Sequence, residues 1–162
     1  MFCTSIASFT RPANTTDYTS GDLVADSVTA ASVTGFRFSV ERVQGLGKIS
    51  RVTLYKGSTT TTAASFTLYL FTRAPTLANG DNGSFSISSY RYFLGSVACD
   101  MSSGATAGSA DLVEQFALTN PFIFDTTSLG FGAAGLYGYL SVSGSYAPAS
   151  GELFEATLEI EG

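Results

Sequence analysis

The sequence predicts an all-β chain, a single-domain antiparallel β-sandwich of jelly-roll type, and three observations predict it. Apolar and polar residues alternate with period two in segment after segment, the period of a strand that turns one face to a core. Thr, Ser and Gly stand where a helical protein carries Glu, Lys, Leu and Ala, while 13 Phe and 8 Tyr supply bulk for pleated surfaces. Gly-, Asn- and Pro-bearing connections separate the segments, and no long 3.6-residue pattern runs between them.

The elements follow in chain order. Residues 5–9 form the first strand, an edge strand at most. Arg11-Pro12 holds the next stretch extended, because proline fixes its own φ and biases its predecessor toward β or polyproline geometry. Residues 13–22, "ANTTDYTSGD", lack apolar alternation and read as a surface arm or loop. The chain thus divides into 1–22, a strand with an extended arm, and 23–162, the sandwich. An arm of this kind can lie across a neighbouring subunit and order on assembly. Removing residues 1–17 is then expected to leave the β-fold intact.

Strands are expected at 35–43 and 48–56, with "GSTTTTAAS" as a hairpin tip before the next. In "SFTLYLF", Phe66, Leu68 and Leu70 oppose Thr67, Tyr69 and Phe71, so both faces are apolar. In a two-sheet sandwich the second face, Tyr69 and Phe71, must meet a neighbouring subunit or be covered by a loop. "NGDNGS" at 79–84 offers Asp81 with flanking amide and hydroxyl oxygens, but one carboxylate is thin for calcium and Asn-Gly is hairpin chemistry. Further strands fall at 90–101, 113–124 with a break at Pro121, and 136–146. The final segment is the clearest: Phe154, Ala156, Leu158 and Ile160 share one face, and Glu155, Thr157, Glu159 and Glu161 the other.

Several chemistries are excluded by residue type. Histidine is absent, which removes Ser-His-Asp and Cys-His nucleophilic systems and the usual zinc sites. "GFGAAG" at 130–135 satisfies G-x-G-x-x-G, yet "LYGYLSVSGSY" after it is strand sequence where a dinucleotide site needs a helix. It reads as a tight turn. Tryptophan, the commonest sugar-stacking platform, is absent too. No catalytic, cofactor-binding or metal-ligating residues are assigned. Cys3 and Cys99 are read as reduced thiols. The N-terminal segment has no basic, apolar leader pattern and no window reaches the ~18 apolar residues of a membrane span. Asn14-Thr15-Thr16 and Asn82-Gly83-Ser84 match the glycosylation pattern and read as turns.

Charge is divided along the chain. All eight Lys and Arg lie at or before Arg91, where with five acids they give +3; the remainder carries eight acids and no base, −8, for a net charge of −5. Such polarity can be paired off inside one fold or can join copies, basic face to acidic face. An acidic chain is a poor partner for nucleic acid.

Two phrases, "SFTRPANTTDYTSGDLVADS" and "LYGYLSVSGSYAPASGELFEATLEIEG", resemble a group of small virion structural proteins of tailed bacteriophages, which share F-T-R-P-A-x-T-T-x-Y-x-x-G-D and Y-x-P-x-S-G-E. "GKISRVTLYKGS", "SFTLYLFTRAPTLANGDNGSFS" and "YFLGSVACDM" fit the same group. The resemblance implies a non-enzymatic capsid decoration or cement protein that bridges capsomers; the alternative is a minor tail or baseplate protein that contacts the host surface. It also implies synthesis in the bacterial cytoplasm and residence in the virion. The partners expected are other copies of the chain, as a homotrimer, and the major capsid protein or another virion protein. Partner contacts are expected at Arg11, Pro12, Tyr18, Asp22, Tyr69 and Phe71.

Overall fold

The computed structural model describes residues 1–58, 62–102, 111–128 and 135–162. These form nine strands: β1 (Phe2–Thr10), β2 (Leu23–Val24), β3 (Phe36–Phe38), β4 (Leu46–Gly57), β5 (Ser65–Phe71), β6 (Phe93–Asp100), β7 (Asp111–Asp125), β8 (Leu136–Val142) and β9 (Leu153–Glu161). Among the described residues the one helical element is a single 3₁₀ turn, Ala30–Ser32.

One sheet has the order β1-β9-β4-β7, and the other β2-β8-β5-β6 with β3 also on β8. β2 pairs with Leu140 and Ser141 and β3 with Leu136 to Gly138, so the two act as one strand broken by residues 25–35. With that strand counted once, the chain alternates between sheets at every step except the β5-β6 hairpin. This is the eight-stranded double-Greek-key jelly roll, identified by strand order alone.

The core lies where the two inner faces meet. Phe154, Ala156, Leu158 and Ile160 of β9 are fully buried, as their alternation predicts, and face Phe66, Leu68 and Leu70 of β5. Phe66 meets Phe154 edge-on at 5.4 Å, the arrangement that a ring quadrupole favours. Each fully buried Phe or Leu contributes about 1.5–3 kcal/mol.

Charge pairing across the first sheet answers part of the question raised by the sequence. In the β4-β9 register Lys48 stands opposite Glu161 and Arg51 opposite Glu159, and both pairs form salt bridges on the outer face. Basic residues of the first half thus meet acids of the second half within one chain. Each side chain is about a third or more exposed, and each pair is worth at most about 1 kcal/mol.

Some boundaries differ from expectation. The strand expected at 35–43 contracts to Phe36–Phe38, since Gly35 takes a left-handed φ of 59°. The strand expected at 136–146 ends at Val142, before Gly144 at φ 126°. The "GFGAAG" turn lies outside the described residues except for Gly135, as does the middle of "GSTTTTAAS".

The pairing of β1 argues against the expectation that the β-fold stays intact without residues 1–17. β1 is an edge strand, but it pairs with β9 at nine consecutive positions and sends Phe9 and Ala7 into the core. Beyond it the chain is anchored rather than loose: Arg11, Tyr18 and Asp22 are buried, and the residues between are largely exposed.

Candidate functional site

The polar centre of the molecule is built from its two ends. Arg11 leaves β1 and donates a backbone hydrogen bond to the Glu152 carbonyl at 2.9 Å. Its guanidinium forms an ion pair with Asp81 at 3.2 Å, with both side chains fully buried. Arg11 Nη1 also donates to the Ala149 carbonyl at 3.1 Å, and Nη2 to Asn14 Oδ1 at 3.3 Å. The Tyr18 hydroxyl accepts from Arg11 Nε and donates to Asp81 Oδ1. Ala25 N donates to the same oxygen at 2.9 Å. Asp81 therefore receives three donors from three separate segments.

A second buried pair lies beside the first. Lys56 Nζ is 2.9 Å from Glu152 Oε1, with both side chains at 1% exposure or less, and it donates to the Thr62 carbonyl at 3.0 Å. Tyr146 donates its hydroxyl to Glu152 Oε2 at 3.1 Å, and Ala149 N donates to Glu152 Oε1 at 3.1 Å. The pairs are joined through their tyrosines. Tyr18 and Tyr146 stack at 5.1 Å, with Arg11 at 4.8 Å from the Tyr18 ring centroid and Lys56 at 5.4 Å from that of Tyr146. Burial first, then the hydrogen bond to Asp81, holds the Tyr18 phenol well above its ordinary range; burial and the Glu152 charge do the same for Tyr146.

This arrangement does structural work. Among the described residues no buried side-chain nitrogen or oxygen lacks a partner, so every charge in the network is already committed. Arg11, Tyr18 and Asp22 come from the first resembling phrase, Tyr146 and Glu152 from the last. The two phrases are thus in direct physical contact. Asp81, which sequence reasoning left as a turn residue, is the anion at the centre; its only signal was an acid in a run otherwise made of turn residues.

The expected contact residues fall in three places. Arg11 and Tyr18 lie in the network. Asp22 closes a turn on itself, its carboxylate accepting from Thr19 N at 2.7 Å and from the Thr19 hydroxyl at 2.9 Å. Pro12 is half-buried, and its carbonyl accepts from Asn14 N at 2.8 Å. Tyr69 and Phe71 are covered by the chain's own connection between β5 and β6. Leu77, Phe85 and Ile87 of that connection pack on a second apolar cluster containing Leu23, Ala25, Phe71 and Tyr139. Tyr69 meets Phe85 with ring centroids 4.6 Å apart, and Phe71 is fully buried. Of the two ways to cover this face, the loop is the one present.

The surface grooves that the described residues line are shallow. One of about 520 Å³ runs between β6 and β7 beside Phe116, Leu118 and Phe122; another of about 340 Å³ lies between β1 and residues 39–42. Cys3 and Cys99 are free thiols. Cys99 is buried, which pushes its thiol up to about 12, the condition of an inert cysteine. Among the described residues no group of three His, Cys, Asp or Glu is placed to hold a metal ion.

No protein-family profile matches the sequence, and no curated protein matches it. Weak likenesses exist among solved virus particles. The chain aligns with a capsid chain of an expanded equine rhinitis A virus particle at 12% identity and a TM-score of 0.33, over 99% of this chain and 74% of that one. It aligns with a chain of the Israeli acute paralysis virus particle at 10% and 0.32, over 96% and 60%, and with one of Mud Crab Dicistrovirus at 13% and 0.28, over 99% and 69%. The fold assignment rests on the strand order and not on these likenesses.

Proposed function

We propose that the chain is a non-enzymatic structural protein of a tailed-bacteriophage virion, a decoration protein that cements the head by bridging capsomers. The observation that supports this reading best is the union of the two resembling phrases in one buried network. The residues that carry the resemblance are those that close the jelly roll, so a likeness in those phrases is a likeness in fold-determining chemistry. The charged and aromatic residues inside are spent on one another, which suits a rigid block whose work is done by its surface. Fold by itself assigns no function, and the reading therefore rests on the phrases together with this economy of polar groups.

The experiment is quantitative staining of purified virions of a phage that encodes the protein. A molar amount comparable with the major shell protein is expected for a head cement. A band far below that level would move the protein to the tail or baseplate, and absence from the particle would end the virion reading.

A further inference from the structure

Just past the β5-β6 ladder, two arginines gather on one ring. Phe71 pairs with Phe93, and Thr72 N donates to the Tyr92 carbonyl at 2.9 Å; Phe93 N donates to the Tyr90 carbonyl at 3.0 Å, so Arg91 and Tyr92 lie in a turn beyond the ladder. Both guanidiniums turn onto the Tyr92 ring, at 5.2 and 5.4 Å from its centroid. Neither arginine forms an ion pair among the described residues, although four other cations of the chain do. Two like charges gathered on one ring repel. Tyr90, 56% exposed, and Phe93, 38% exposed, extend the patch. Exposed Arg and Tyr around a partly covered aromatic is the composition of an interface centre.

The matching acids lie at the other end of the molecule and on the other sheet. On the outer face of the first sheet, Glu155 stands opposite Tyr55 in register, and Asp111 lies two positions further along, opposite Gly57. Tyr55 donates its hydroxyl to Asp111. Neither acid forms an ion pair among the described residues. β4 ends at Gly57 and seven residues separate it from Ser65, where β5 begins, so this acidic patch sits toward the start of β5. The arginines sit beyond its other end.

We infer that copies of this chain associate head to tail, with the Arg73-Tyr92-Arg91 patch of one copy seated on the Glu155-Asp111 patch of the next. The two surfaces differ, so the contact is heterologous and builds a closed ring or an open chain of copies. It does not depend on the virion reading, because the charges and their placement exist in the free protein.

The test uses the full chain and two charge reversals: Arg73→Glu with Arg91→Glu, and Asp111→Lys with Glu155→Lys. Arg73 and Arg91 are exposed and Asp111 and Glu155 partly so, and circular dichroism is used to check that both variants fold. Sedimentation at low salt should show self-association of the natural chain, weakening about tenfold or more as salt rises, since exposed charge pairs are screened. Each variant alone should be monomeric. Mixed in equal amounts they should associate again, because reversed patches then meet reversed faces. A natural chain that stays monomeric at low salt would overturn the inference, and so would variants that associate as the natural chain does. The virion reading would survive either result, since copy number in the particle tests it separately.

Discussion

Tyr18 and Tyr146, drawn from opposite ends of the chain, stack with ring centroids 5.1 Å apart and planes inclined by 13°. Tyr18 N also donates to the Tyr146 carbonyl at 3.0 Å, so the stack rests on a backbone bridge. Each ring carries a cation on its edge of the network and hands a hydroxyl proton to a buried carboxylate. Two ion pairs are thereby held in a region that offers them no water. A buried pair contributes little net stability compared with an apolar replacement, but losing one partner leaves the other stranded.

The first prediction follows from that asymmetry. Asp81→Leu leaves the Arg11 guanidinium buried without its anion and should lower unfolding free energy by about 3–5 kcal/mol. Arg11→Met combined with Asp81→Leu removes both charges and should cost markedly less than the single change. Urea titrations of the natural chain, Asp81→Leu, Arg11→Met and the double variant decide it; a double variant as unstable as the sum of the singles would show that the pair is not coupled.

The second prediction is a loss of stability in alkali. Burial raises the Tyr139 phenol from 10.0 to about 12 and the Cys99 thiol from 9.0 to about 12, and raises Tyr18 and Tyr146 as well. A group with a raised folded-state value contributes its full stabilisation below the unfolded value and loses it as pH climbs toward the folded one. Thermal midpoints should therefore fall progressively from about pH 9 to pH 12, with phenolate absorbance appearing together with unfolding. Free ionisation of all eight tyrosines in a folded chain would contradict the burial of these three.

How much of this was legible beforehand depends on the range of the interaction. β9 and β5 could be read outright, because alternation reports the local burial of Phe154, Leu158, Phe66 and Leu68. The short β2 could not, since two residues carry no period. Arg11 and Asp81 were each visible as odd residues in polar stretches, but their meeting depends on topology across half the sequence. Tyr69 and Phe71 were read as a subunit contact unless a loop covered them, and a loop does. Which cover they have turns on Leu77, Phe85 and Ile87, whose spacing in a Ser- and Gly-rich loop resembles no regular element.

The third prediction concerns that cover. Phe85→Ala removes the ring lying against Tyr69 and opens the second cluster to water. A half-buried phenylalanine lost here should cost about 1–3 kcal/mol, and the uncovered Tyr69 and Phe71 should raise the binding of a hydrophobic dye to the native state. Unchanged stability together with unchanged dye binding would mean that the loop does not seal this face.

The fourth concerns the turn that aims Asp81. A Cβ on Gly80 would come within 2.2 Å of the Val28 carbonyl carbon and 2.3 Å of its oxygen, contacts with backbone that no side-chain rotation relieves. Asp81 N donates to the Ser27 carbonyl at 2.7 Å, so the shift forced on residue 80 passes straight to the carboxylate. Gly80→Ala should destabilise the protein by about 1–3 kcal/mol. The same change made in the charge-free Arg11→Met, Asp81→Leu background should cost less, because the position of residue 81 no longer matters there. Equal costs in the two backgrounds would confine the effect to local crowding.

The fifth prediction separates an appended arm from a built-in strand. Removing residues 1–17 deletes the nine-position β1-β9 ladder, takes Phe9 and its stack on Phe154 from the core, and leaves Asp81 and Glu152 without the Arg11 contacts. β9 then becomes an exposed edge bearing unpaired backbone donors and acceptors, a template for aggregation. Loss of Phe9 alone carries about 3–5 kcal/mol and stranding Asp81 a similar amount, against a total stability of about 5–15 kcal/mol for a domain. The truncated chain should be insoluble or unfolded by circular dichroism, whereas Arg42→Ala, which breaks no ion pair among the described residues, should fold as the natural chain does. A soluble truncated protein with a cooperative unfolding transition and an intact β spectrum would show that the remaining eight strands close without the first.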